Sequence, residues 1–160
     1  MIIVVMGVTG AGKTTVGRLL ARELGWDFED ADDFHSAANV EKMHRGIPLT
    51  DEDRGPWLER LRAEITKEIT DGRDMVLACS ALKREYRAMM AVGPEVKFVY
   101  LRGDAQQIAE RLRTRHGHFA DEKILAAQFA DLEEPQGAVV ADITATPEEI
   151  VKNIREQLAV

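Results

Sequence analysis

The chain has 160 residues, 45 % hydrophobic and 31 % charged, with a net charge of −7. That length suits a single domain over residues 1–160 with a sizeable core, and no apolar run nears the roughly 18 residues of a membrane helix. The acidic balance argues against a nucleic-acid partner, which needs a basic field, and the lone Cys79 excludes an intrachain disulfide. A single cysteine suits a reducing cytoplasm, and no basic stretch precedes the first apolar run, so neither a signal peptide nor a membrane partner is expected.

The first predicted strand is Ile2-Ile3-Val4-Val5-Met6, a β-branched run suited to a buried parallel strand. Residues 7 to 14 follow as Gly-Val-Thr-Gly-Ala-Gly-Lys-Thr, a full G-x-x-x-x-G-K-[ST] match, and 13–24 carries apolar residues at helical spacing. Strand, glycine loop and helix form the context in which such a loop cradles nucleoside triphosphate phosphates. Its backbone N–H groups and the helix N-terminus favour anions. Gly7, Thr9, Gly10, Ala11, Gly12, Lys13, Thr14 and Thr15 are therefore the expected ATP-binding residues. Lys13 can reach the β- and γ-phosphates, and the Thr14 hydroxyl can ligate Mg²⁺.

A short second strand is expected at 27–30, after the Gly25 helix stop, and Asp30, Asp32 and Asp33 follow it. Asp30 and Asp32 alternate, so an extended backbone points both carboxylates to one side. One could serve Mg²⁺ through water and the other accept a proton from a substrate hydroxyl; the plain alternative is a solvated acidic turn. Residues 33–57 form the longest irregular piece, too long for a simple connection, and suggest a substrate cap. Thr50-Asp51-Glu52-Asp53 has the pattern of a helix start. Arg54, just inside it, has the fork geometry for a carboxylate ligand, or pairs with its acidic neighbours. His35 and His44 are candidate polyol contacts or surface residues, and the spacing of Trp57 and Leu61 marks Trp57 as core.

The next helix is expected over 53–70, then a strand at 75–79 after the Asp71-Gly72 turn. That strand ends in Cys79-Ser80 and offers no carboxylate for a metal. Cys79 reads as a small packing residue. Lys83 and Arg84 open a helix near 82–91 and are candidate anion contacts, one more so than both. A fourth strand at 96–101 leads to a helix near 104–114. Arg111 and Arg115 are four apart, hence on one helix face, with Gly117 interrupting after them. A basic hinged segment there, about 113–125, could close over ATP as a lid and bring an arginine onto the γ-phosphoryl. A helix near 121–131, a strand at 138–142 and a helix at 147–158 complete the chain. The last has Thr146 as N-cap and Pro147 at its first position.

Alternating strands and helices indicate an α/β fold on a parallel sheet. In such sheets ligands bind beyond the carboxyl ends of the strands, and the candidate residues fall just after strands one to four.

Several segments together resemble the bacterial gluconate kinase family over nearly the whole chain. They are DADDFHSAANVEKMHRGIPLTDEDRGPWL (30–58), CSALKREYR (79–87), VYLRGD (99–104), RLRTRHGHF (111–119) and QFADLEEP (128–135). The resemblance implies a small three-layer phosphate-loop kinase related to shikimate and nucleoside monophosphate kinases. Its five-stranded parallel sheet would run in the order 2-3-1-4-5, with a substrate cap and a mobile lid. The implied reaction is phosphoryl transfer from ATP to the 6-hydroxyl of D-gluconate, and the implied assembly is a homodimer. Comparison with shikimate kinases supports Asp32 as the hydroxyl partner, Asp30 on the Mg²⁺ side and Arg54 as carboxylate clamp. It places Arg111 beside adenine and Arg115 in the lid. Asp32, His35, His44, Arg54 and Lys83 are then the expected gluconate contacts, and Lys13, Asp32 and Arg115 the catalytic set. A kinase for another small acid such as shikimate is the nearest alternative. Against it, Cys79-Ser80-Ala81 stands where shikimate kinases carry three glycines. A nucleotide-operated switch without acceptor turnover is the other.

Overall fold

The computed structural model describes the backbone of residues 1–116 and 119–160, and side chains outside 115–122. In chain order it runs β1 (Ile2–Met6), α1 (Lys13–Leu24), β2 (Asp27–Asp30), a 3₁₀ turn (Ala31–Phe34), α2 (Ala37–His44), α3 (Asp51–Thr70) and β3 (Met75–Ala78). Then come α4 (Arg84–Met90), β4 (Val96–Arg102), α5 (Ala105–His116), α6 (Phe119–Asp131), β5 (Val139–Asp142) and α7 (Pro147–Leu158).

The five strands pair in parallel in the order β2-β3-β1-β4-β5, as the family resemblance implies. β1 is the central strand, and all five of its residues are fully buried. A strand covered on both faces needs an unbroken apolar run, and β1 has one. Its side chains alternate between two cores. Ile3 and Val5 join Val16 and Leu20 of α1, Ile108 of α5 and Ile154 of α7. Ile2, Val4 and Met6 join Trp57, Leu61 and Ile65 of α3 and Met90 of α4. The result is a helix–sheet–helix sandwich.

Register brings the functional ends level. Asp30 pairs with Ala78, and Ala78 with Val5, so Asp30, Cys79-Ser80 and Gly7 share one rim. The Gly7 N–H closes that rim on the Ser80 carbonyl, at 3.3 Å.

The segment 33–57 is more regular than its sequence suggests, since it contains part of the 3₁₀ turn, all of α2 and the start of α3. Only Asn39 of α2 is buried, so α2 carries no apolar stripe to announce it. α3 begins at Asp51, two residues earlier than expected. There the Asp53 N–H donates to the Thr50 hydroxyl and the Thr50 N–H donates to the Asp53 carboxylate, a reciprocal cap. α4 begins later than expected, at Arg84. Ala81 takes a left-handed φ of 46°, and Lys83 is still extended.

Candidate active site

Two cavities meet at the glycine loop. One is a cleft of about 380 Å³ whose wall includes Lys13, Thr14, Asp30, Asp32, His35 and Arg54. The other, about 660 Å³, lies between α5 and the start of α7, with Arg111 on its wall. Gly10, Gly12 and Thr15 line both, so the loop is the partition between them.

The loop geometry follows from its glycines. Gly10 and Gly12 have φ of 80° and 99°, which side-chain-bearing residues rarely adopt. A Cβ on Gly10 would also lie 3.0–3.1 Å from Leu112 and Ile108, so α5 seats directly against the loop. Gly12 caps α1 and leaves the first helical N–H groups facing the cleft, where an anion is favoured. Lys13 folds back over the loop, with Nζ donating to the Val8 carbonyl at 3.0 Å. Burial pushes the pKa of its ammonium down, while the Asp32 and Asp30 carboxylates pull it up. The Thr9 N–H donates to Oε1 of Gln128 on α6, at 2.6 Å. Arg111 donates to the Ile143 carbonyl at 2.5 Å and is thereby held against the second cavity.

On the opposite wall, Asp30 uses both carboxylate oxygens. Oδ1 accepts from the Asp32 N–H at 3.0 Å and caps the 3₁₀ turn, and Oδ2 accepts from the Thr14 hydroxyl at 3.3 Å. Asp32 therefore projects one turn beyond Asp30, open to the cleft. The protein wall behind it raises its carboxyl pKa and Asp30 adds to the rise, while Lys13 works against both. A raised pKa, with an open approach from the cleft, suits Asp32 to accept a proton. His35 Nε2 lies 4.0 Å from Asp32 Oδ1. Its ring stacks on Trp57 at 4.3 Å and 12°, and Trp57 is anchored by Nε1–H to the Ala31 carbonyl at 2.6 Å. Trp57 is thus core, as its spacing predicts, and also the platform for His35. Burial, with the nearby Arg54 charge, lowers the His35 pKa to about 4, so the ring is neutral at pH 7.

Arg54 enters the cleft from the first turn of α3. Its Nη1 donates to the Tyr86 hydroxyl at 3.0 Å and lies 3.5 Å from Asp131 Oδ2 of α6. The Tyr86 hydroxyl in turn donates to Asp51 Oδ1, which also receives Lys83 Nζ at 2.9 Å. Lys83 is thus turned toward the first turn of α3. Neither Lys83 nor His44, which is exposed at the end of α2, is among the described residues lining the cleft. The Arg115 side chain, and with it the core of the expected lid, lies outside the described residues. Cys79 is buried and its thiol pKa is pushed up to about 12 by that burial, consistent with a packing role.

The motifs 79–87 and 128–135 meet through a residue that spacing does not single out. Arg87, 8 % exposed, donates to the carbonyls of Ala81 at 2.8 Å, Leu82 at 2.9 Å and Glu133 at 2.7 Å. It ties the loop after β3 to the segment after α6. Gln128, Asp131 and Asn39 are the other site residues that sequence reasoning does not find. Each lies inside a quoted segment, 30–58 or 128–135, but its role depends on a partner from another element: Thr9 for Gln128, Arg54 for Asp131 and the Asp53 carbonyl for Asn39.

Comparison with known proteins follows the same lines. Residues 9–159 match the shikimate kinase family model. The chain is 41 % identical to a gluconokinase of Arabidopsis thaliana, across 99 % of this chain and 92 % of that one. Among solved structures, a sugar kinase from Janibacter superposes with a TM-score of 0.92 at 41 % identity, covering 99 % of this chain and 94 % of that one. A gluconokinase from Sinorhizobium meliloti superposes with a TM-score of 0.87 at 40 % identity, covering 98 % and 90 %. With its strand order, its phosphate loop and these relatives, the chain belongs to the shikimate kinase family and, within it, to the gluconokinases.

Proposed function

We infer that this chain transfers the γ-phosphoryl group of ATP to the 6-hydroxyl of D-gluconate, giving 6-phospho-D-gluconate and ADP. The observation that carries this reading is the convergence of Lys13, Asp32 and Arg54 on one cleft. That cleft offers a phosphate-binding loop, a proton acceptor and a carboxylate clamp, which are the needs of a small acid with a reactive primary hydroxyl. The likeness to gluconokinases supports the choice of acid.

In this reading the loop residues 7–15 hold the triphosphate and the Arg111 cavity takes the adenine. Arg54 binds the gluconate carboxylate, His35 contacts a hydroxyl, and Asp32 orients the 6-hydroxyl and accepts its proton as the oxygen attacks in line. Lys13, with Arg115 of the lid, offsets charge on the transferring group. Residues 33–57 act as the substrate cap of a single kinase domain. The Thr14 hydroxyl and the Asp30 carboxylate are hard oxygen donors already within hydrogen-bonding distance of each other. They suit Mg²⁺, which takes one or two protein oxygens alongside phosphate oxygens. When bound, the ion would supply charge neutralisation at the phosphates. A homodimer, which the resemblance implies, and a cytoplasmic location, which the single cysteine suits, belong to this same reading; no helix among the described residues is long and apolar enough to cross a membrane.

The test is ADP release with Mg-ATP against D-gluconate, shikimate, D-glucose and no acceptor. Release with gluconate alone is expected. Equal release in every tube would replace the kinase by a nucleotide hydrolase or switch, and release with another acid would reassign the cap.

A further inference from the structure

We propose that Asn39 is a positioning residue that locks His35 in the tautomer bearing its proton on Nε2, so that His35 and Asp32 together form a hydroxyl-recognising pair on the cleft wall. The part of this that concerns the acceptor rests on the function proposed above; the part that concerns the proton does not.

Asn39 is among the few buried polar residues, at 5 % exposure. Its amide nitrogen makes two contacts, to the Asp53 carbonyl at 2.8 Å and to His35 Nδ1 at 3.2 Å. A carbonyl only accepts, so the amide must turn its NH₂ toward Asp53. The amide orientation is therefore decided by a group outside the pair. The second amide hydrogen then meets His35 Nδ1, which must accept it. In a neutral imidazole, an accepting Nδ1 leaves the proton on Nε2.

The ring cannot swing away to evade this assignment. It lies flat on Trp57, and Trp57 is pinned to the Ala31 carbonyl. The remaining polar edge of the ring, Nε2–H, is the one 4.0 Å from Asp32 Oδ1. That gap is too long for a direct hydrogen bond. It is the right base for a triangle whose apex is an oxygen about 2.8 Å from each atom. The apex oxygen must accept from Nε2–H and donate to the carboxylate. A hydroxyl does both at once; a carboxylate or carbonyl oxygen does only the first. With the proton on Nδ1 instead, two acceptors would face the apex and a hydroxyl would satisfy only one.

The test reads the proton directly. Long-range ¹H–¹⁵N spectra of the imidazoles of the full-length protein at neutral pH, without ligand, should show His35 with a protonated Nε2 and an unprotonated Nδ1. The His35 signals are assigned by their loss in His35→Gln. Asn39→Asp removes the donor and places an acceptor beside Nδ1, so the proton should move to Nδ1. Asn39→Ala removes the donor without adding charge and should give a mixture of tautomers, which keeps the test open if the aspartate variant does not fold. In either variant the KM for gluconate should rise about tenfold while the KM for ATP is unchanged. A wild-type ring protonated on Nδ1 would overturn the proposal, as would variants that keep both the Nε2 proton and the wild-type KM. Failure of gluconate to drive ADP release would sink the proposed reaction but leave the spectroscopic result to stand or fall by itself.

Discussion

In the half of the site proposed to bind nucleotide, one continuous stretch from Thr9 to Thr15 supplies most of the wall, with Arg111 added from α5. The donors it offers are largely backbone N–H groups, and their direction is set by two glycine torsions and a helix end. In the acceptor half the surface comes from the 3₁₀ turn, from α2 through Met43, from α3 and from α6. Its side chains hold one another: Asp30 with Thr14, Asn39 with His35 and Asp53, Arg54 with Tyr86 and Asp131. Phosphate binding needs donors in a fixed curve, which a short loop can supply alone. Recognition of a polyol acid needs donors and acceptors at several points in space, which no single segment can reach. A further difference lies in how α6 serves both halves. Gln128 occupies the Thr9 N–H, and Asp131 stands by Arg54.

Three measurements put the separation of the two halves at risk. The largest effect is expected from Lys13→Ala, which removes the charge proposed to follow the γ-phosphoryl through transfer. Turnover should fall about 10³-fold or more with every acceptor, measured as steady-state ADP release. Retention of more than a tenth of wild-type turnover would mean that the loop backbone alone supports catalysis. Next is Arg54→Ala, which should confine its damage to the acceptor half. The KM for gluconate should rise roughly 30- to 100-fold, about 2–3 kcal/mol for a lost charge-assisted pair, with ATP affinity within about twofold. Equal loss of ATP affinity, read by nucleotide titration, would show that the two halves are not separable.

The third effect concerns stability and pH rather than turnover. The His35 pKa falls from 6.5 to about 4 in the folded protein. The unfolded chain therefore takes up the proton first as pH drops, so this residue's contribution is whole above pH 6.5 and is lost on descent toward pH 4. The raised Asp32 carboxyl has the opposite slope, its contribution being lost as pH rises. The difference between wild type and His35→Gln isolates the histidine. That difference should shrink by up to ~3 kcal/mol from pH 7 to pH 4, by urea denaturation at each pH. A constant difference across that range would mean that His35 is not held neutral by its surroundings.

Much of the fold was legible because its signals are local. The run Ile2–Met6 alternates between two cores yet is apolar throughout, which marks a strand covered on both faces. The Thr146-Pro147 start of α7 was equally plain, and the Thr146 hydroxyl accepts from the Glu149 N–H at 3.2 Å. α2 was not legible, because a helix with one buried residue has no stripe. In the site, Asp30, Asp32 and Arg54 stood out by residue type and place in the chain. Lys83 looked equally suitable by the same criteria. The structure turns it to Asp51, since α3 begins early enough to present that carboxylate.

Local sequence carries the phosphate loop, the parallel α/β layering and the chemical types available at the strand ends. These depend on torsional preference and on apolar periodicity, both properties of neighbouring residues. Which of those side chains face one another depends on how distant elements pack. Arg87 gathering three carbonyls from two segments and Asn39 orienting His35 against Asp53 are such cases. Such pairings follow from where α2, α3, α4 and α6 pack on the sheet, and a hydrogen bond between distant segments leaves no period in the chain to announce it.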